Sequence, residues 1–352
     1  MTARRLVPTL AATALVLTLA WRALSPAPPV GTDGAPLVST FSIVAVDTLT
    51  GEIGVAVQSK FPNVRAVVPW VEAGVGAVAT QSFARLAYGE QGLTLMEAGA
   101  TASEALRIVM RQDPAPRERQ VGMVDAHGQA VSFTGDGAFE WRGGTTGGTP
   151  RRDAVAGGTV VVGRGWAAQG NILVSEATVT AMAETFERAT GTLAERLTAA
   201  LVAGGAAGGD KRGEQSAALV VKREGAGYDG SDTVVDISVY DHPTPLAELQ
   251  RLVALNDLYF TDTDPADLVE VTPAIARELQ AIWVARGMRD APPDGRVDAA
   301  FQQALADYMG WENYDLRIDE VTDVDLSAGE TLRIDREVLD DMRAVFREGR
   351  YR

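Results

Sequence analysis

From Thr40 to Lys60 the chain alternates with a period of two. Phe41, Ile43 and Ala45 fall on one face and Ser42, Val44 and Val46 on the other; Ile53, Val55 and Val57 resume after Asp47-Thr48-Leu49-Thr50-Gly51. Two such runs around a short polar, glycine-ended connection read as a β-hairpin. Val75 to Ser82 supplies a third strand, in which Gly74 and Gly76 permit close backbone approach.

Helical patterns follow and then strands return. Thr101-Ala102-Ser103-Glu104 is a capping box opening a helix whose apolar face is Ala105, Leu106, Val109 and Met110, with Pro114 marking its end. A second hairpin spans Gln120 to Thr134 around Ala126-His127-Gly128, and a short apolar strand runs from Thr159 to Val162. Val179, Met182, Ala183 and Phe186 have helical spacing. Thr192-Leu193-Ala194-Glu195 caps another helix with Leu193, Leu197 and Leu201 in register, which Gly204-Gly205 is expected to stop. Ser216–Lys222 and Thr233–Tyr240 are the last strand runs. Hairpins, helices and hairpins again predict an α+β fold in which two antiparallel sheets lie between two helical layers, an αββα sandwich.

The chain has 352 residues, enough for two folded units. Its net charge of −15 argues against nucleic acid as a partner, because phosphate binding draws on surplus Lys and Arg. With Cys at 0, a thiolate zinc site, a cysteine nucleophile and a disulfide are all excluded. His127 and His242 are the only histidines, so an H-E-x-x-H metal site is excluded and a serine–histidine triad has few sources for its base. Both histidines read as solvated loop residues, and no metal or cofactor is implied. A hydrolase built from this composition would take its base from a desolvated lysine or from a chain-terminal amine.

Arg4 and Arg5 precede an apolar run from Leu6 to Ala20, 15 residues long, where a membrane span needs about 20. This reads as a signal peptide over residues 1–20, cleaved after Ala20, with residues 21–39 as a Pro-, Gly- and Ala-rich mobile linker. The expected location is the periplasm or the extracellular medium.

Six blocks then carry a resemblance: Thr40-Phe41-Ser42-Ile43-Val44-Ala45, Gly51 through Phe61, Val68-Pro69-Trp70, Ala79-Thr80-Gln81-Ser82, Gln169-Gly170-Asn171-Ile172-Leu173, and Gly208 through Ala217. In this order, over roughly residues 40–260, they resemble the domain of unknown function 1028 family. The resemblance implies the four-layer αββα fold of the N-terminal-nucleophile hydrolases, whose first mature residue cleaves amide bonds. In many relatives the matching threonine directly follows the initiator methionine; here it is Thr40. Freeing it requires a cut after Ser39, and Leu37-Val38-Ser39 lacks the small residue that a signal peptidase reads three positions back.

On that resemblance Thr40 is the candidate nucleophile, its own α-amine serving as base; the structural alternative is a strand-initiating threonine with a buried methyl. Lys60, one of three lysines, ends a strand beside Ser59 and is a second candidate base, or a solvated strand-end charge. Asn171 follows Gln169 and Gly170 in an expected loop between strand and helix, where its amide suits a developing oxyanion or, equally, a turn. Gln58, Ser59, Thr80, Gln81 and Ser82 are polar strand-end residues that would line the same pocket, or carry ordinary strand polarity. Asp210 and Arg212 would line its mouth or form an ion pair, and Ser216 closes that loop. The Gly208–Ser216 stretch lacks phosphate-loop spacing and precedes a strand.

Beyond Tyr259 the composition turns helical and charged. Leu279-Gln280, Gly287, Asp294-Gly295 and Val297–Tyr308 with Phe301 and Leu305 resemble a peptidoglycan-binding helical repeat. Trp311-Glu312-Asn313-Tyr314 and Ile334-Asp335 to Met342 resemble the variant often attached to this family. Residues 265–352 are thus expected to form a small helical unit that binds peptidoglycan or caps the first domain. Three functions stand: an exported amide hydrolase acting on a small amide or peptide-like substrate, a catalytically silent wall-binding protein, and an enzyme that works without exposing Thr40. The sequence leaves the substrate and the choice between monomer and homo-oligomer open.

Overall fold

The computed structural model describes residues 31–34, 37–38 and 40–349. The expected signal peptide, its cleavage site and most of the expected linker lie outside the described residues.

The hairpin forms as expected, with Thr40–Val46 (β2) antiparallel to Ile53–Ser59 (β3) and Thr40 opposite Ser59. Ser216–Lys222 (β12) pairs with the far edge of β3, and Thr233–Val239 (β13) pairs with β12. On the other side of β2 lies Trp166–Gly170 (β11), followed by Gly143–Thr145 (β8). This sheet has the order β13-β12-β3-β2-β11-β8. The second sheet centres on Gly76–Phe83 (β5), Arg119–Asp125 (β6), Gln129–Gly135 (β7) and Gly158–Arg164 (β10), paired in that order. Pro69–Glu72 (β4) and Leu37–Val38 (β1) share the outer edge of β5, and Arg151–Asp153 (β9) closes the opposite end beside β10. All these pairings are antiparallel.

Strand parity divides the core. Val44, Val55, Val57, Ala77, Ala79, Val124, Ala167 and Val220 form one apolar layer between the sheets. The opposite face of the β2 sheet, with Phe41, Ile43 and Leu219, is covered by helices Ala177–Arg188 (α3), Leu193–Ala206 (α4) and Pro245–Phe260 (α5), which contribute Met182, Leu197, Leu201 and Leu249. The opposite face of the β5 sheet, with Val78, Val121, Met123 and Phe133, packs under Ala87–Glu97 (α1) and Ala102–Arg111 (α2) through Tyr88, Leu106 and Val109. Both capping boxes form, each threonine accepting from the backbone N–H of the glutamate three residues on. The molecule is thus mixed α/β with antiparallel sheets.

Three sequence expectations need correction. Gly204 and Gly205 do not stop α4, which runs to Ala206, because a Cβ on Gly204 would stand 2.7 Å from Met182 and one on Gly205 would collide with Leu246; the glycines let neighbouring side chains approach. Gln169 and Gly170 belong to strand β11, not to a loop. Part of the expected linker is held: Leu37 and Val38 pair with Phe83 and Ser82, and Thr32 N–H donates to Glu118 at 2.8 Å.

A separate apolar core collects Leu279, Trp283, Phe301, Leu305, Tyr314, Ile334, Leu339 and Met342. It is built by helices Pro273–Ala285 (α6), Ala299–Trp311 (α7), Asp319–Thr322 (α8) and Arg336–Glu348 (α9), with the short pair Leu268–Glu270 (β14) and Arg333–Asp335 (β15). Helix α5 belongs to both cores. Its Leu246, Leu249 and Val253 pack on the first sheet, while Leu258 enters the second core and Tyr259 stacks on Tyr314 at 5.3 Å. Arg317, buried against Asp335, donates to the carbonyl of Asp257 at 2.8 Å and so fastens the joint.

Burial, reinforced by the charges of Glu195 and Glu337 and only partly offset by Arg317, pushes the Asp257 carboxyl up to about 6. Its unfolded value is about 3.9, so the stability it contributes is fully present below that and is lost as pH rises through about 6. Asp257→Asn should therefore melt close to wild type in acid and above it at neutral pH, the gap opening across this window in a thermal melt series. A constant gap at every pH would contradict the assignment.

Candidate functional site

Thr40 opens β2 and is fully buried. It has the parity of Ser42, Val44 and Val46, so its side chain faces the other sheet. Its Oγ1 donates to the Val38 carbonyl at 3.0 Å and lies 3.2 Å from Ser59 Oγ. Its carbonyl accepts from Asn171 N–H at 3.0 Å and from Gln81 Nε2 at 3.3 Å.

From there a chain of amides crosses between the sheets. Gln81 Nε2 also donates to Gln120 Oε1 at 2.9 Å, and Asn171 Nδ2 donates to the same oxygen at 2.9 Å. Gln120 Nε2 reaches Gly170 O at 2.8 Å, Thr134 Oγ1 at 2.9 Å and Gly143 O at 3.1 Å. Ser42 Oγ donates to Gln81 Oε1 at 2.7 Å and accepts from Gln169 Nε2 at 2.8 Å. Thr40, Ser42, Gln81, Gln120, Gln169 and Asn171 are all fully buried. Room for the Gln169 amide comes from Gly122, where a Cβ would collide with its oxygen. A cleft of about 560 Å³ has Ser132, Thr134, Trp141 and Gly143 in its wall, and Gln120 donates to two of these residues, Thr134 and Gly143, from within the core.

Two non-glycine residues beside this cluster have left-handed backbone: Ser82 at φ 70°, paired with Val38, and Ile172 at φ 53°, directly after Asn171. Such conformations cost on the order of 1–3 kcal/mol and persist where surrounding contacts hold them.

The structure brings Thr40, Ser59, Gln81 and Asn171 together and separates the rest. Gln58 cannot share a pocket with Ser59, because neighbouring strand residues point to opposite faces. It has the parity of Ala56, on the helical side of the sheet, where both ends of its buried amide lack a hydrogen-bond partner. Thr80 likewise has the parity of Val78, under the helices, and its hydroxyl donates to Arg85 O at 3.3 Å. Lys60 is exposed at the end of β3; its carbonyl accepts from Arg212 Nη2 at 3.4 Å. Asp210 and Arg212 form an ion pair at 2.8 Å, and Ser216 Oγ holds the turn after β3, donating to Phe61 O at 2.6 Å and accepting from Val64 N–H at 3.1 Å.

Ser42, Gln120 and Gln169 join the cluster without standing out in the sequence, although parity offers a signal. Gln120 and Gln169 are polar residues at inward positions of strands whose other inward positions are apolar or small, and Ser42 shares the inward face of β2 with Thr40, ahead of Val44 and Val46.

This arrangement defines a mixed α/β domain of antiparallel sheets that holds a buried threonine at the head of a central strand within a cluster of amides. The chain belongs to the family of unknown function DUF1028, whose family model matches residues 40–249. It is similar to a crystal structure of a Silicibacter pomeroyi protein assigned to the same family, with 28% identity over 62% of this chain and 86% of that one and a TM-score of 0.53. No curated protein matches the sequence.

Replacing Gln120 by leucine keeps the volume but removes an acceptor from the amides of Gln81 and Asn171 and a donor from the carbonyls of Gly143 and Gly170. Each buried polar group left without a partner costs about 1–3 kcal/mol. Gln120→Leu should lower the urea midpoint clearly at an unchanged slope; an unaltered midpoint would mean that the amide chain contributes no net stability.

Proposed function

We propose that this protein is an exported amide hydrolase with the four-layer fold of the N-terminal-nucleophile hydrolases, in which Thr40 is the nucleophile once the residues before it are removed. The observation that supports this best is the placing of Thr40: it heads a central strand, buried, with its hydroxyl beside Ser59 and its carbonyl gripped by Gln81 and Asn171. A threonine serving only to start a strand would not need both main-chain and side-chain amides from other strands and a loop around it.

On this reading, removal of the chain up to Ser39 converts the Thr40 amide nitrogen into an amine, whose ordinary pKa of about 7.7–8.0 leaves it partly unprotonated near neutrality. The hydroxyl oxygen attacks the substrate carbonyl carbon while its proton passes to this amine. The resulting oxyanion is assigned to Asn171, whose main-chain N–H bonds the Thr40 carbonyl. Collapse of the tetrahedral intermediate breaks the carbon–nitrogen bond, and the departing amine takes the proton back. Water then attacks the Thr40 ester, giving its proton to the same amine, and the acid leaves as Oγ1 is reprotonated. Lys60, being exposed, has no step in this sequence.

The rival reading is a silent wall-binding protein whose residues 265–352 form a peptidoglycan-binding-like unit. It draws support from a cleft of about 660 Å³ lined by Tyr228, Tyr259, Phe260 and Trp311, where Trp311 is 73% exposed. Exposed aromatic faces grouped with polar residues mark recognition surfaces.

Mass spectrometry of protein from its native host should show a chain beginning at Thr40, and Thr40→Ala should abolish amide hydrolysis while leaving the thermal transition nearly unchanged. A mature chain beginning near Trp21 removes the terminal base; if that chain is inert toward a broad amide panel, the wall-binding reading replaces this one.

A further inference from the structure

Arg119 opens β6 and is fully buried. Its Nε and Nη2 hold the Asp113 carboxylate at 2.8 and 3.1 Å, and Nη1 donates to Phe83 O at 2.8 Å. Arg85 Nη1 also bonds Asp113, at 3.1 Å, and Tyr88 OH donates to it at 2.9 Å. Burial alone would raise the Asp113 carboxyl, but the hydrogen bonds from Arg119, Ala115 N–H and Tyr88 outweigh it and hold the group below the usual carboxylate range. Asp113 is therefore an anion, and it faces two guanidinium groups.

The second anion is Asp33, which accepts from Arg119 Nη2. Without it, two buried or half-buried cations share one carboxylate, an uncompensated charge that low-dielectric surroundings penalise until another anion enters. Asp33 belongs to the stretch that must leave if Thr40 is to be the first residue. The same departure removes Leu37 and Val38 from the edge of β5 and uncovers the backbone of Ser82 and Phe83, as an unpaired strand edge that an extended chain can occupy. Ser82 there has a buried hydroxyl without a partner. The Phe83 ring, 5.7 Å from that of half-exposed Phe139, adds an apolar wall.

We infer that Arg119 is the carboxylate-binding subsite of the mature protein, and that its substrates are amides bearing a free carboxylate. The body of such a substrate runs along β5 where Leu37 and Val38 lie, and its carboxylate takes the place of Asp33 on Arg119. Asp33 is then an internal stand-in for the ligand, covering the subsite until the upstream residues go. This assignment rests on Thr40 being the mature N-terminus, yet its anion site can be tested without turnover or processing.

The test is chemical rescue in the full-length chain. Asp33→Ala should lower the thermal transition in chloride, and acetate or propionate at equal ionic strength should restore part of the loss, because an anion that binds only the folded state stabilises it. Wild type, its subsite already filled, should melt alike in both salts. If Asp33→Ala does not fold, Asp33→Asn, which keeps the shape without the charge, should show the same selective rescue. A variant that melts identically in carboxylate and chloride overturns the subsite. That result leaves the Thr40 reading standing, just as rescue in a protein never cut at Thr40 would leave the anion site standing without the nucleophile.

Discussion

Everything near Thr40 depends on one constraint: amides buried between two sheets must satisfy one another. Gln120 is the junction, accepting from Gln81 and Asn171 at 2.9 Å each and donating toward Gly170, Thr134 and Gly143. These partners come from β5, β7, β8, β11 and the turn after β11, so displacing any of these elements strands a buried polar group. In a low-dielectric interior such bonds are stronger and their loss costlier, which makes the amide chain around Gln120 a rigid spacer. The apolar layer of Val44, Val55, Val57 and Val220 holds the sheets together; the amide chain fixes how they stand at the end that carries Thr40.

A second constraint joins the two folded units. Helix α5 cannot belong to only one of them, since Leu246, Leu249 and Val253 are buried on the first sheet while Leu258 is buried in the second core. Arg317 adds direction by pairing with buried Asp335 and reaching back to the Asp257 carbonyl and to Thr261 Oγ1 at 3.1 Å. Breaking a buried ion pair of this kind from one side costs about 3–5 kcal/mol, because the remaining charge is left without a partner. The aromatic cleft that includes Tyr228, Tyr259, Phe260 and Trp311 is built at this joint, from both units.

Much of the scaffold is legible in the order of residues, and the reasons for the failures are physical. Period-two alternation places β2 and β3 and the faces of Phe41 and Ser42 correctly, because strand parity is a backbone property independent of context. The same parity, applied strictly, separates Gln58 from Ser59 and Thr80 from Gln81, which polarity alone would group. Strand β11 is hidden because Trp166-Ala167-Ala168-Gln169-Gly170 ends in residues typical of turns, and only its pairing with β2 and β8 makes it a strand. Helix α1 is hidden because it buries Gly89 against the Trp70 ring and Gly92 near Met123, and glycine weakens the local helical signal. The Arg119 cluster is illegible for a different reason: Asp33, Arg85, Asp113 and Arg119 meet only in three dimensions.

In the structure the Thr40 hydroxyl donates to the Val38 carbonyl. If Thr40 is the nucleophile, that acceptor is temporary, and the amine created by cleavage succeeds it. The most direct test is to treat protein purified from its native host with an acylating β-lactone and map the adduct by tandem mass spectrometry. Attack by the Thr40 hydroxyl would open the lactone and leave a single ester, so one adduct is expected, on Thr40, in chains that begin at Thr40. Chains that begin at Thr40 and stay unmodified, or that carry the adduct on Lys60 instead, would contradict Thr40 as the nucleophile.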